Sequence, residues 1–162
     1  MQAFKRRIYG SVGEMMADLI WPVQHRAQMR QAMRSGLVSP QFRERLMMAV
    51  TAVNECRYCA YFHARESERV GLDNDEIREL LAGELAHAPE EELPALLYAQ
   101  HYAEQNGRPD PITRQSLKTT YGPARADAIE TVLRLIRMGN LLGNSTDWVL
   151  FKLSFGQLGG NR

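Results

Sequence analysis

Apolar residues recur at helical spacing along the whole chain. No stretch alternates Val, Ile and Thr with polar residues between turn signals, so no strand is predicted. After Gly10-Ser11, residues 13–34 read as one or two helices through Met16, Leu19, Ile20 and Val23, bent at Pro22. Gly36 closes that stretch. Ser39-Pro40 then supplies an N-cap followed by proline at the first helical position. The helix it opens carries Phe42, Leu46, Ala49, Val50 and Val53 on one face, with Met47, Met48 and Ala52 on its other sides. A helix that is apolar nearly all round is a buried one. Asn54-Glu55 marks a turn, and the next helix starts near Cys56 and runs to Gly71.

Beyond it, Asp73 or Asn74 caps a short helix over 76–81, ended by Gly83. Residues 84–92, with Pro89, form a loop, and Glu90-Glu91-Glu92 reads as a solvated helix start. Leu93, Leu96, Leu97 and His101 define a helix closed by Asn106-Gly107. Residues 112–121 make a short one ending at Tyr121-Gly122. Pro123 opens a long helix through Ile129, Val132, Leu133, Ile136 and Asn140. Gly143-Asn144-Ser145 is expected to break it before a last helix with Trp148, Leu150, Phe151 and Leu153, and the tail from Gly156 is expected to be loose. The pattern predicts a single all-α domain over residues 1–162, with about seven or eight helices and no internal repeat.

Composition narrows the function classes. The 162 residues are 44% hydrophobic and 24% charged, ordinary for a globular chain, and the net charge is +1. A nucleic-acid partner is therefore not expected, since such binders carry a basic excess. No apolar run is long enough to span a membrane, and the basic N-terminus leads into no apolar secretory segment, so a cytoplasmic location is expected. Both cysteines sit in one CxxC, Cys56 and Cys59, which in such a chain points to redox or metal chemistry.

Cys56, Cys59 and His63 stand at i, i+3 and i+7, and so share one face of a helix. Cys56 falls at the helix N-terminus, where free backbone N–H groups and the dipole favour a thiolate. His63 lies one turn beyond Cys59, within reach to exchange a proton with it. Glu44 is twelve residues before Cys56, ~18 Å along a straight helix. A reversal at Asn54-Glu55 would instead bring it beside His63. A carboxylate among Leu46, Met47, Met48 and Val50 suits a general base. A zinc site could recruit Glu44 as a fourth ligand, but no second CxxC or HxxxH accompanies it, so no metal is expected. Inert buried cysteines are the plainest alternative. His25 reads as a surface residue, His87 as a loop residue and His101 as capping or packing. Tyr58 and Tyr61 read as packing, and Met16, Met47 and Met48 as core filling.

The set Glu44, Cys56-Arg57-Tyr58-Cys59 and His63, within the run Val53 to His63 followed by Val70-Gly71-Leu72, resembles the AhpD-like alkylhydroperoxidase branch of the carboxymuconolactone decarboxylase superfamily. The motif match covers about residues 39–83. The resemblance implies an all-α fold assembled into trimers or hexamers. It also implies a site where Cys56 and Cys59 cycle between dithiol and disulfide, with Glu44 and His63 as proton relay. It implies a hydroperoxide substrate and no tightly bound cofactor. The reductant would be an external dithiol, in the best-known members a dihydrolipoyl group on a partner protein. Those members carry histidine where this chain has Tyr58. The superfamily's lactone decarboxylases lack the CxxC, which disfavours decarboxylation here.

The reaction so expected is thiol-dependent reduction of a hydroperoxide, begun at Cys59 or at Cys56, with a disulfide oxidoreductase without peroxidase activity as the nearest variant. The alternatives of another class are a non-catalytic redox-sensing module and a zinc-stabilised oligomeric binding module. Self-association is expected independently of chemistry, because Trp148, Val149, Leu150, Phe151, Leu153 and Phe155 cannot share one helix face. Met15, Met16, Ile20, Trp21 and Val23 are similarly apolar.

Overall fold

Helix signals are met almost wherever the sequence places them. A computed structural model describes residues 4–160, and among these it contains eight α-helices and no strand. They are α1 (Val12–Gln24), α2 (Arg26–Arg34), α3 (Pro40–Asn54), α4 (Arg57–Arg69), α5 (Asn74–Ala82), α6 (Leu93–Glu104), α7 (Pro111–Tyr121) and α8 (Pro123–Leu153). Ser39 Oγ accepts from Phe42 N ahead of Pro40, and Asp110 accepts from Thr113 N ahead of Pro111. Asp73 caps α5 by accepting from Asp75 N, and Gly83 ends it at φ 84°.

The central element is α3, which packs against α4, α5, α6 and α8. Phe42, Leu46, Ala49 and Val50 of α3 meet Leu96 and Ala99 of α6 and Ile129, Val132 and Leu133 of α8, all buried. A smaller cluster joins Met48 to Leu72, Ile77 and Leu80 under α5. The all-round apolar pattern of α3 thus follows from burial on every side.

Several expectations are corrected. The long C-terminal helix is not broken: α8 runs through Gly143-Asn144-Ser145 without interruption. These residues tempt the backbone out of a helix when their side chains can bond locally. Here they are bonded at long range, Asn144 Nδ2 to Asn54 O and Arg7 O, and Ser145 Oγ to Tyr9 N. Pro22 lies inside α1, and the chain breaks instead at His25, whose backbone N–H bonds Trp21 O and whose ring stacks on Trp21. The third glutamate of the acidic run is not solvated. Glu92 is buried and accepts from Arg45 Nη1 at 3.1 Å, beside Glu76, which accepts from Arg45 Nε at 2.6 Å. Burial pushes the Glu92 carboxyl up, and Arg45 pulls it back. Finally, the C-terminal turn is tied down, with Arg6 Nη2 donating to the carbonyls of Gly159 and Gly160.

Met47 and Met48 fill the core as expected, whereas Met16 is about half exposed on α1. With it, Leu19, Ile20 and Val23 leave an apolar face open. Of the late apolar run, Phe151 is buried, but Val149, Leu153 and Phe155 are exposed. No described helix is long and apolar enough to cross a membrane.

Candidate active site

The chain reverses between α3 and α4 through Glu55, in the left-handed region at φ 54°, followed by the extended Cys56. Cys56 is the N-cap of α4, and its Sγ accepts from Cys59 N at 3.4 Å. This places the first sulfur against the free N–H groups of the helix start, where negative charge is favoured. One turn on, Cys59 directs its thiol at Cys56, Sγ to Sγ 2.8 Å. Cys56 is completely buried and Cys59 partly so.

The hairpin also makes the second pairing. Glu44 Oε2 lies 2.7 Å from His63 Nδ1, both residues buried, with Arg43 Nε 3.6 Å from the other carboxylate oxygen. The carboxylate fixes the ring and binds Nδ1–H, so Nε2 is the nitrogen left free for a proton. His63 and Cys59 line one open cleft of about 350 Å³, walled by Met47, Phe62, Leu135 and Ile136. All four residues expected at the site are therefore brought together: the sulfurs in contact, His63 with Cys59 on the cleft, and Glu44 behind His63.

What the sequence reading missed is the back wall. On α8, Gly139, Asn140, Gly143, Asn144 and Asp147 form a stripe facing the α3–α4 corner. A Cβ on Gly143 would come 2.8 Å from Cys56 Sγ, so only glycine lets the sulfur sit there. Asn140 donates to Thr51 Oγ1 at 3.1 Å and accepts from Asn54 Nδ2 at 3.2 Å. Asn144 satisfies the terminal carbonyl of Asn54 at 2.7 Å. Asp147, wholly buried, accepts from Arg6, Arg57 and Tyr58, each at 2.7 Å. Tyr58 is thus bonded rather than merely packed, and Tyr61 is mostly exposed. The signal in the sequence is Gly and Asn each repeating at i and i+4, Gly139 with Gly143 and Asn140 with Asn144, which weighed locally reads as a helix break.

The two thiols have opposite tendencies. Cys56 is pushed down from the ordinary thiol value of 9.0 to about 7. The bond from the Cys59 thiol does most of this, against the cost of burial, helped by the N–H groups of Cys59 and Tyr58 and the charge of Arg6. Cys59 is pushed up, because its proton is held by Cys56 and because it is buried, while the Asn140 amide pulls the other way. Negative charge on the pair is therefore favoured at Cys56, with the shared proton on Cys59. No group of three or more His, Cys, Asp or Glu side chains among the described residues is placed to hold a metal ion.

The family model for the Carboxymuconolactone decarboxylase family matches residues 23–105, from the end of α1 to the end of α6. Comparison with curated proteins and with solved structures returned no match. The matched span contains Glu44, both cysteines and His63, whereas Arg6 and the α8 stripe lie outside it.

The opposite tendencies fix a pH signature. A group depressed in the folded state contributes stability that is complete above its unfolded value and lost as pH falls through its folded value. Cys56 therefore adds stability as pH rises from about 7 towards 9.0. Cys59, raised in the folded state, contributes below its unfolded value and loses that contribution at higher pH. Reduced protein, compared with the Cys56→Ser/Cys59→Ser double variant, should be relatively most stable near pH 8–9 and decline on both sides. Urea denaturation from pH 6 to 10 checks this, and a flat difference would exclude the shared-proton state.

Proposed function

The chain belongs to the carboxymuconolactone decarboxylase family, and from that premise we propose that it is an AhpD-like thiol peroxidase, reducing a hydroperoxide through a Cys56–Cys59 dithiol cycle. The observation that carries this reading is the meeting of Cys59 and His63 on one cleft, with Glu44 bonded to His63 at 2.7 Å. A redox sensor or inert cysteines would need no such buried proton acceptor.

Cys59 is the attacking sulfur, because it lines the cleft while Cys56 is sealed behind it. His63 takes the Cys59 proton, and Glu44 stabilises the imidazolium so formed. The Cys59 thiolate attacks one peroxide oxygen, the O–O bond breaks, and the departing alkoxide takes the proton from His63 to leave as alcohol. Cys59 is now a sulfenic acid. The Cys56 thiolate attacks its sulfur, the S–S bond forms, and hydroxide leaves and is protonated from solvent. An external dithiol then restores the pair by two thiol–disulfide exchanges and is itself oxidised. A dihydrolipoyl group on a partner protein has the right chemistry, and the cleft mouth, with Tyr58 and Phe62 exposed, is open to it.

Self-association belongs to the same proposal. The open face of α1 through Met16, Leu19, Ile20 and Val23, and that of α8 through Val149 and Leu153, are covered by further copies in a trimer or hexamer. Light scattering at micromolar concentration should give a multiple of 18.5 kDa, and a monodisperse monomer would contradict this.

With dithiothreitol as reductant, the wild-type chain should consume cumene hydroperoxide catalytically and Cys59→Ser should not. His63→Ala should lose about 100-fold or more in rate, the scale of a general base, and Glu44→Gln less. Equal turnover in wild type and His63→Ala would remove the proton relay.

A further inference from the structure

The proton relay has one neighbour still without a role. Arg43 precedes Glu44 on α3, and its Nε lies 3.6 Å from Glu44 Oε1, while Oε2 of the same carboxylate lies 2.7 Å from His63 Nδ1. Consecutive residues of a helix do not ordinarily face each other, so the helix itself does not impose this contact. Arg43 has no other ion-pair partner among the described residues. The Glu44 side chain is 6% exposed and that of Arg43 20%, so neither charge is left to bulk water. One buried anion thus meets a permanent cation at one oxygen and a titratable ring at the other.

The other charged groups about the pair are engaged elsewhere. On α3, Arg45 is held by Glu76 of α5 and by Glu92. On α4, Cys59 and Glu66 lie one turn to either side of His63, and Glu66 is paired with Arg69. From α6, Leu96 and Ala99 meet α3. From α8, Leu135, Ile136 and Gly139 line the cleft, and Arg134 and Arg137 are held by Asp18. Among the described residues, Arg43 is therefore the one cation besides His63 that Glu44 meets.

An ionised carboxylate can only accept, so His63 donates Nδ1–H to it and keeps the Nε2 lone pair. A second proton on the pair ends this state wherever it settles. On the ring, it makes an imidazolium, protonated at Nε2. On the carboxyl, the new O–H donates to Nδ1, and the ring proton then sits on Nε2. A buried anion favours that uptake, and a fixed cation against Oε1 opposes it. We propose that Arg43 is the positioning residue whose charge on Oε1 holds the Glu44–His63 pair to a single proton, on Nδ1, and so keeps Nε2 free to take the proton of Cys59. The use of Nε2 as a base rests on the peroxidase reading, whereas the single-proton state does not. In that cycle the pair gains a proton from the Cys59 thiol and gives it to the departing alkoxide. The charge of Arg43 favours this return, because it disfavours the doubly protonated pair.

The test is a nuclear magnetic resonance titration and uses no peroxide. In full-length Cys56→Ser/Cys59→Ser no thiol remains to titrate, and nitrogen-labelled histidine shows which ring nitrogen of His63 carries the proton. Comparison with His63→Gln assigns the signals. Adding Arg43→Gln should raise the pH midpoint of Nε2 protonation by about half a unit or more, a roughly threefold gain in proton affinity. Arg43→Met, which keeps the stem and loses the charge, should do the same and guards against a loss of fold in Arg43→Gln. Arg43→Lys, which keeps the charge, should restore most of the original midpoint. Simple loosening would admit water between Glu44 and His63 and lower the midpoint instead. An unmoved or lowered midpoint in either uncharged variant that folds by circular dichroism overturns the proposal. So does a His63 ring that, with Arg43 in place and above the midpoint, carries its proton on Nε2. A chain inert towards peroxide would still be subject to this test, and a peroxide-reducing chain that failed it would lose only the role of Arg43.

Discussion

Cys56 can sit against Cys59 only if the backbone behind it leaves room for its sulfur and offers polar partners to the corner that carries it. Here a single stripe of α8 meets both demands. Gly143 lets Cys56 Sγ sit where a Cβ would intrude at 2.8 Å, and Asn140, Asn144 and Asp147 bond the corner at Asn54 and Tyr58. That corner sets the register of α4 against α3, and the register brings His63 beside Glu44. A side chain at position 143 would push Cys56 off its place and take the geometry of the pair with it. Overpacking of this kind costs about 1–3 kcal/mol in a close-packed interior.

The site is consequently two-sided. The front is apolar and open, with Cys59 and His63 lining a cleft walled by Met47, Phe62, Leu135 and Ile136. The back is polar and closed, with Cys56 buried against amides and a shared carboxylate. In the proposed cycle a proton leaves from the front, by way of the ring that Glu44 bonds, while negative charge is kept at the back. The same helix N-terminus serves both, since Cys56 takes the cap position and Cys59 the next turn.

Much of this was legible in the chain. The caps at Ser39 and Asp73, and the prolines at 40 and 123, place their helix starts correctly, because each suits a helix end short of hydrogen-bond partners. The pairing of Glu44 with His63 followed from one turn and the helical rise. What stayed hidden was long-range. Gly143-Asn144-Ser145 looks like a break when only local bonding is weighed, and becomes a docking stripe once Asn54, Arg7 and Tyr9 supply distant partners. Glu92 looked solvated because Arg45 lies 47 residues away in sequence. Arg6 and Asp147 are separated by 141 residues, and nothing local announces either.

The central claim is that the two sulfurs form one redox unit. Reduced protein should be given a single equivalent of cumene hydroperoxide without air or added thiol, then alkylated and mapped by mass spectrometry. The account predicts loss of both free thiols in each chain and a Cys56–Cys59 link within one chain, with one equivalent of alcohol released. Two thiols still free, or links only between chains, would contradict it.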